Sequence, residues 1–235
     1  LPIFKDNNGN PLTDSNFREY ITSLMKEEID KTIAEIGVDQ MKKDIEKPAQ
    51  HRVNNGWLTF NEDGSYSYNL DKHLYYLAKY TALKAAPSFS NVGLYQNNMN
   101  EDTLFGTRDQ EYSPFNAWSW NHDARKNTVG LDDTGLNWDE YLKTDDGKAL
   151  LKQMKMTCAM DYILENKADI APYWYVRHGM DDRDNSFAIE AELFASVRNS
   201  PAVKAHNVGF AWLKPHSGNY DVPEAYSWLK TALGE

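Results

Sequence analysis

The chain has 235 residues, with 41% hydrophobic side chains and a net charge of −10 from 25 basic and 35 acidic groups, a globular composition rather than a disordered one. The acidic excess argues against a nucleic-acid partner, because phosphate binding needs a surplus of Lys and Arg. No apolar run reaches the ~18 residues of a membrane span, and a single cysteine, Cys158, excludes an internal disulfide or a multi-cysteine zinc site.

Residues 1–12 read as a loop; the Asp6–Asn10 run lacks the closing acid of a calcium loop and is taken as a turn. A helix is predicted from Asp14 or Ser15, with Phe17, Tyr20, Ile21, Leu24, Met25, Ile29, Ile33 and Ile36 on one stripe. Gly37 ends it, and a second helix carries Val38, Met41 and Ile45 towards Pro48. Residues 54–69 alternate about Glu62-Asp63-Gly64 as a hairpin would, and a helix follows from about Asp71 to Lys84. Residues 85–146 are rich in Asn, Asp, Gly and Trp without periodicity, the pattern of a lid or binding segment.

Regularity returns at Lys148, where Leu150, Leu151, Met154, Cys158, Met160 and Ile163 mark a helix face that would bury the thiol. Ala171–Arg177 is a strand, His178–Asp184 a turn, and a helix runs from near Asn185 to Pro201. Asn207–Leu213 is the second strand, and the last helix runs from Pro223 to before Gly234. Strands alternating with helices imply a parallel, three-layer α/β sheet. Two strands cannot form such a sheet alone, so the rest of it is expected outside this chain. Leu1 stands first and no signal segment opens the sequence. The chain is then a mature product or a piece of a larger protein, and a secreted or cell-envelope location stays open.

Reactive groups in parallel sheets gather beyond the carboxyl ends of the strands. Past the first strand lies Gly179-Met180-Asp181-Asp182; past the second lies His216, between Pro215 and Gly218. Acid then histidine on consecutive strands matches the end of the α/β-hydrolase order Ser…Asp…His. Histidine shuttles a proton near neutral pH, and a buried carboxylate fixes its tautomer and steadies the imidazolium. Taken singly, Asp182 would read as a helix cap and His216 as a surface loop residue; their joint placement favours the catalytic pair.

The segments Tyr173–Gly179, Asp182-Arg183-Asp184-Asn185-Ser186 and His216-Ser217-Gly218-Asn219-Tyr220-Asp221 resemble the bacterial tannase and feruloyl-esterase branch of the α/β hydrolases. Upstream, Lys84–Phe89 and Asn100–Gly106 are similar to pieces of that family's large lid. The resemblance implies Asp182 as triad acid, His216 as general base and Asp184 near phenolic hydroxyls, with either aspartate able to face His216. It also implies a lid lysine and glutamate on galloyl hydroxyls, for which Lys126 and Glu140 are the candidates. Trp118, Trp120 and Trp138, with Tyr112 and Phe115, would line an aromatic substrate pocket, or else pack between lid and core.

No Gly-x-Ser-x-Gly occurs in the chain. The expectation is therefore the C-terminal part of a serine esterase: residues 1–147 as a helical and irregular lid, residues 148–235 as the last strands and helices of the core. The nucleophile and oxyanion hole would come from an N-terminal half held as partner. The substrate would be a small aromatic or other acyl ester, with no metal or cofactor. The alternative is a non-catalytic binding or interaction module of hydrolase shape. A serine peptidase of the same fold is disfavoured by the lid segments.

Overall fold

The computed structural model describes residues 4–47, 54–78, 115, 117, 120, 135–165 and 168–235. The chain divides into two compact units: Leu1–Leu83 with Tyr162–Glu235, and Lys84–Asp161 between them in sequence. The first ~80 residues thus share a unit with the C-terminal strands, whereas the sequence suggested a single division after residue 147.

In the first unit, α1 spans Phe17–Ile36 and α2 Val38–Glu46. Most of the predicted stripe faces inward: Tyr20, Ile21, Leu24, Met25 and Ile29 are buried and Phe17 and Ile33 partly so, whereas Ile36 at the helix end is exposed. Gly37, at φ +78°, takes the left-handed backbone that lets α1 end and α2 start at once. A small antiparallel hairpin follows, β1 (Leu58–Phe60) with β2 (Tyr66–Tyr68), and then α3 (Leu70–Ala78). Trp57 and His73, both buried, stack at 4.2 Å, while His73 Nδ1 and the Tyr68 hydroxyl share a hydrogen bond of 2.9 Å.

The C-terminal part supplies β3 (Tyr173–Gly179), α7 (Phe187–Asn199), β4 (Ala205–Ala211) and α8 (Val222–Leu233). Strands β3 and β4 pair in parallel, Tyr173 opposite Ala205 and Gly179 opposite Ala211. Helix α7 is the crossover. It packs on both strands, α1 packs on β4 and α7, and α8 lies on β3. Phe210 meets Phe187 and Phe194 edge to face at 5.4 and 5.5 Å, and each such pair is worth about 0.5–1.5 kcal/mol beyond its buried area.

Helix α1 is also tied to the sheet by polar bonds. The backbone N–H of Trp212 donates to Glu28 Oε1 at 2.9 Å, and the indole N–H donates to Asp44 of α2 at 3.2 Å. Burial holds the Glu28 carboxyl above its ordinary range, although the Trp212 amide pulls it back down.

The second unit contains α4 (Trp138–Tyr141) and α5 (Asp145–Thr157). The long helix expected after Lys148 is two helices, because Cys158 is extended (φ −93°, ψ 95°) and α6 starts afresh at Ala159 and ends at Glu165. The break rotates the apolar positions apart. Leu150 and Ile163 are buried, Leu151 and Met156 are exposed, and the Cys158 thiol is half-buried rather than sealed. Helix α4 was missed within a stretch read as irregular; its signal is a capping box in which Asn137 and Glu140 exchange side-chain bonds to each other's backbone N–H.

Candidate active site

Because β3 and β4 end in register, the loops that follow them emerge side by side. Gly179 makes their approach closer still. A Cβ there would collide with the Lys214 carbonyl and lie 2.8 Å from that of Pro215. Two bonds stitch the loops together: Met180 N–H to the Ala211 carbonyl and Asp181 N–H to the Lys214 carbonyl, both 2.9 Å. The glycine in Gly-x-x-Asp is thus a packing requirement that brings acid and histidine within reach.

Asp182 is almost fully buried. Its Oδ1 accepts the backbone N–H groups of Asp184 at 2.7 Å and Asn185 at 3.1 Å. It does not cap α7; Ser186 does that, accepting from Ala188 N–H. Oδ2 faces His216 Nδ1 at 3.0 Å, with Oδ1 at 3.2 Å from the same nitrogen. The imidazole is 45% exposed, so its far nitrogen is left for other chemistry.

The His216 loop is strained. Leu213, Ser217 and Asp221 have φ of +46°, +57° and +60°, a left-handed backbone costing about 1–3 kcal/mol at each non-glycine position. An ion pair between Arg177, nearly buried, and Asp221 at 3.6 Å helps hold it. Arg177 also bonds Glu224 of α8 at 3.1 Å and Asn207 at 2.8 Å, and lies 4.1 Å from the Tyr175 ring.

An open pocket of about 550 Å³ lies over the pair, lined by Tyr175, His178, Asn185, Glu190, Tyr220 and Tyr226 among others. Burial, then the Asp182, Asp221 and Glu190 charges, push the Tyr220 phenol up, so that at neutral pH it remains a proton donor in the pocket. Asp184 is half-buried beside Arg183 (3.5 Å), and carboxylate oxygens of Asp182 and Asp184 and a His216 nitrogen fall within 4.8 Å of one another.

Three of the residues singled out from sequence, Asp182, Asp184 and His216, therefore meet at one place. Trp120 belongs to the second unit. It is buried there, stacked on Tyr141 at 4.0 Å and donating its indole N–H to the Leu136 carbonyl. Glu140 is engaged in its capping box. Tyr112, Trp118, Lys126, His51, His122 and both lid segments lie outside the described residues. The sequence reading missed the depth of His178, which belongs to β3 rather than to the turn and is buried. Strand alternation up to Gly179 would have revealed it.

Solved structures place this arrangement in context. A tannase from Lactobacillus plantarum superposes with a TM-score of 0.65 at 22% identity, over 97% of this chain and 41% of its own. A tannin acyl hydrolase in complex with ethyl gallate gives 0.61 at 22%, covering 98% and 41%. The tannase of Fusobacterium nucleatum gives 0.58 at 20%, covering 98% and 42%. The fold is that of the bacterial tannases. The described residues are mixed helix and sheet, and the chain spans about two fifths of the length of these tannases. No family model matches the sequence, and neither does any curated protein.

Proposed function

We propose that the chain is the acid-and-base part of a serine-type carboxylic ester hydrolase. The observation that carries this reading is the hydrogen bond between buried Asp182 and half-exposed His216 at the adjoining ends of two parallel strands. In that role Asp182 keeps the near nitrogen protonated, and the far nitrogen takes the proton from a serine hydroxyl and returns it to the departing alcohol. The serine and its oxyanion hole come from an N-terminal part, in keeping with the two-fifths coverage of the tannases. That part would also continue the sheet from β3, which among the described residues pairs only with β4.

The substrate proposed is an ester of an aromatic acid. Asp184, whose carboxylate lies within 4.8 Å of the His216 ring nitrogen, accepts a phenolic hydroxyl of that acid.

The test is to assemble the chain with a serine-bearing N-terminal part and treat it with a serine-reactive aryl phosphonate. Labelling should fall on the other part, and His216→Ala should lower turnover of aryl esters at least ~10³-fold. Full turnover by the His216→Ala protein, or labelling of Cys158, would refute the assignment and leave a binding module of hydrolase shape.

A further inference from the structure

Beside the Asp182–His216 pair lies a second imidazole that the proposed reaction does not use. His178, at the end of β3, is 4% exposed, and its ring is gripped edge to face by Phe187 and Phe210, each at 5.6 Å. Its Nδ1 is 3.5 Å from Glu190 Oε1 of α7, and its Nε2 is 3.7 Å from Asp182 Oδ2, the oxygen that also faces His216. Nε2 has no hydrogen-bond partner among the described residues. Both separations are too long for hydrogen bonds but short for charges in a buried site.

A neutral imidazole carries one N–H and one lone pair. Here either tautomer would turn the lone pair on a carboxylate oxygen. Only a ring protonated at both nitrogens presents a donor to each acid. The groups facing it fit that state: two carboxylates, from the turn and α7, with two uncharged phenyl rings from α7 and β4 set nearly perpendicular to it. Tyr220, in the same pocket, is held neutral.

We infer that His178 is an imidazolium bridging Glu190 and Asp182, and that it acts as a positioning residue by holding the Asp182 carboxylate charged and oriented for His216. The inference deepens the esterase reading and, for its effect on turnover, rests on it. Glu190 balances the added charge, so the cluster Glu190–His178–Asp182 carries one net negative charge to meet the imidazolium formed at His216.

Long-range proton–nitrogen spectra of the 235-residue chain, with the His178 signals assigned by their loss in His178→Phe, read the ring directly. Both nitrogens should appear as imidazolium at pH 7. In Glu190→Gln, whose amide can donate to Nδ1, the ring should become neutral with its proton on Nε2. A neutral ring in the unaltered chain, in either tautomer, would overturn the inference whether or not the assembled protein cleaves esters. With the N-terminal part present, His178→Phe should move the acidic limb of the kcat/KM profile to higher pH, because the protonated form of His216 loses the repulsion of a neighbouring cation. An unmoved limb would reduce His178 to core packing, whereas a protein with no ester turnover would sink the esterase reading and leave the spectra standing.

Discussion

Gly179→Ala is the substitution whose cost can be worked most directly from the structure. The added Cβ would overlap the Lys214 carbonyl and crowd that of Pro215. Both obstacles are backbone, so no side-chain rotation relieves them. Restoring an ordinary contact of about 3.5 Å requires the two loops to part by on the order of 1 Å. That movement strains the Asp181–Lys214 and Met180–Ala211 backbone bonds, both now 2.9 Å. Overpacking with this consequence should destabilise by about 3 kcal/mol. With a urea slope of about 2–3 kcal/mol/M, the unfolding midpoint read by tryptophan fluorescence should fall by about 1 M. The same movement pulls His216 from Asp182, so the Nδ1 proton signal of His216 should weaken in the folded protein. Gly209→Ala is the control: it lies in β4, its Cβ would meet nothing within 4 Å, and its stability should change by no more than about 0.5 kcal/mol. A Gly179→Ala protein within about 0.5 kcal/mol of the parent, with the His216 proton intact, would refute the reasoning.

Asp182→Asn in the assembled esterase should lower turnover by up to ~10⁴-fold for every ester, plain aryl acetates included, because the tautomer of His216 is no longer set. Asp184→Asn should cost about 1–3 kcal/mol of transition-state binding for hydroxylated aromatic esters only, and a reversed pattern across a substrate panel would show the two roles exchanged. Glu28 is raised above its unfolded range by burial, so its contribution to stability is full below pH ~4.5 and is lost as pH rises through the folded value. Glu28→Gln, which keeps an acceptor for Trp212 N–H, should flatten that decline, and denaturation at pH 4.5 and 7 that shows an unchanged slope would disprove it.

The elements easiest to read were those whose apolar period decides a face. The α1 stripe from Phe17 to Ile36 was of this kind, as were the two strands on either side of α7, whose parallel pairing followed from the crossover between them. The acid and histidine were legible because sheet topology puts strand ends together, although nothing local to Asp182 or His216 says so. The failures have physical causes. Leu150–Ile163 kept a helical period across Cys158, where the backbone turns extended, so one helix was read where there are two. The four-residue α4 is too short to show periodicity and is specified by its Asn137–Glu140 cap instead. The polar His206 hid the start of β4 at Ala205, two residues before the predicted Asn207. That α1 packs on β4 is a matter of long-range contact, which no window of sequence contains.

That last contact has a consequence for how the molecule is made. Glu28 and Trp212, joined by a hydrogen bond, stand 184 positions apart. During synthesis at about 5–20 residues per second, the apolar face of α1 is complete many seconds before β4 exists to cover it. The intervening 84–161 unit is translated whole in that interval. Helix α1 must therefore wait with its inner stripe unprotected, and the first unit can close only when nearly all of the chain has emerged.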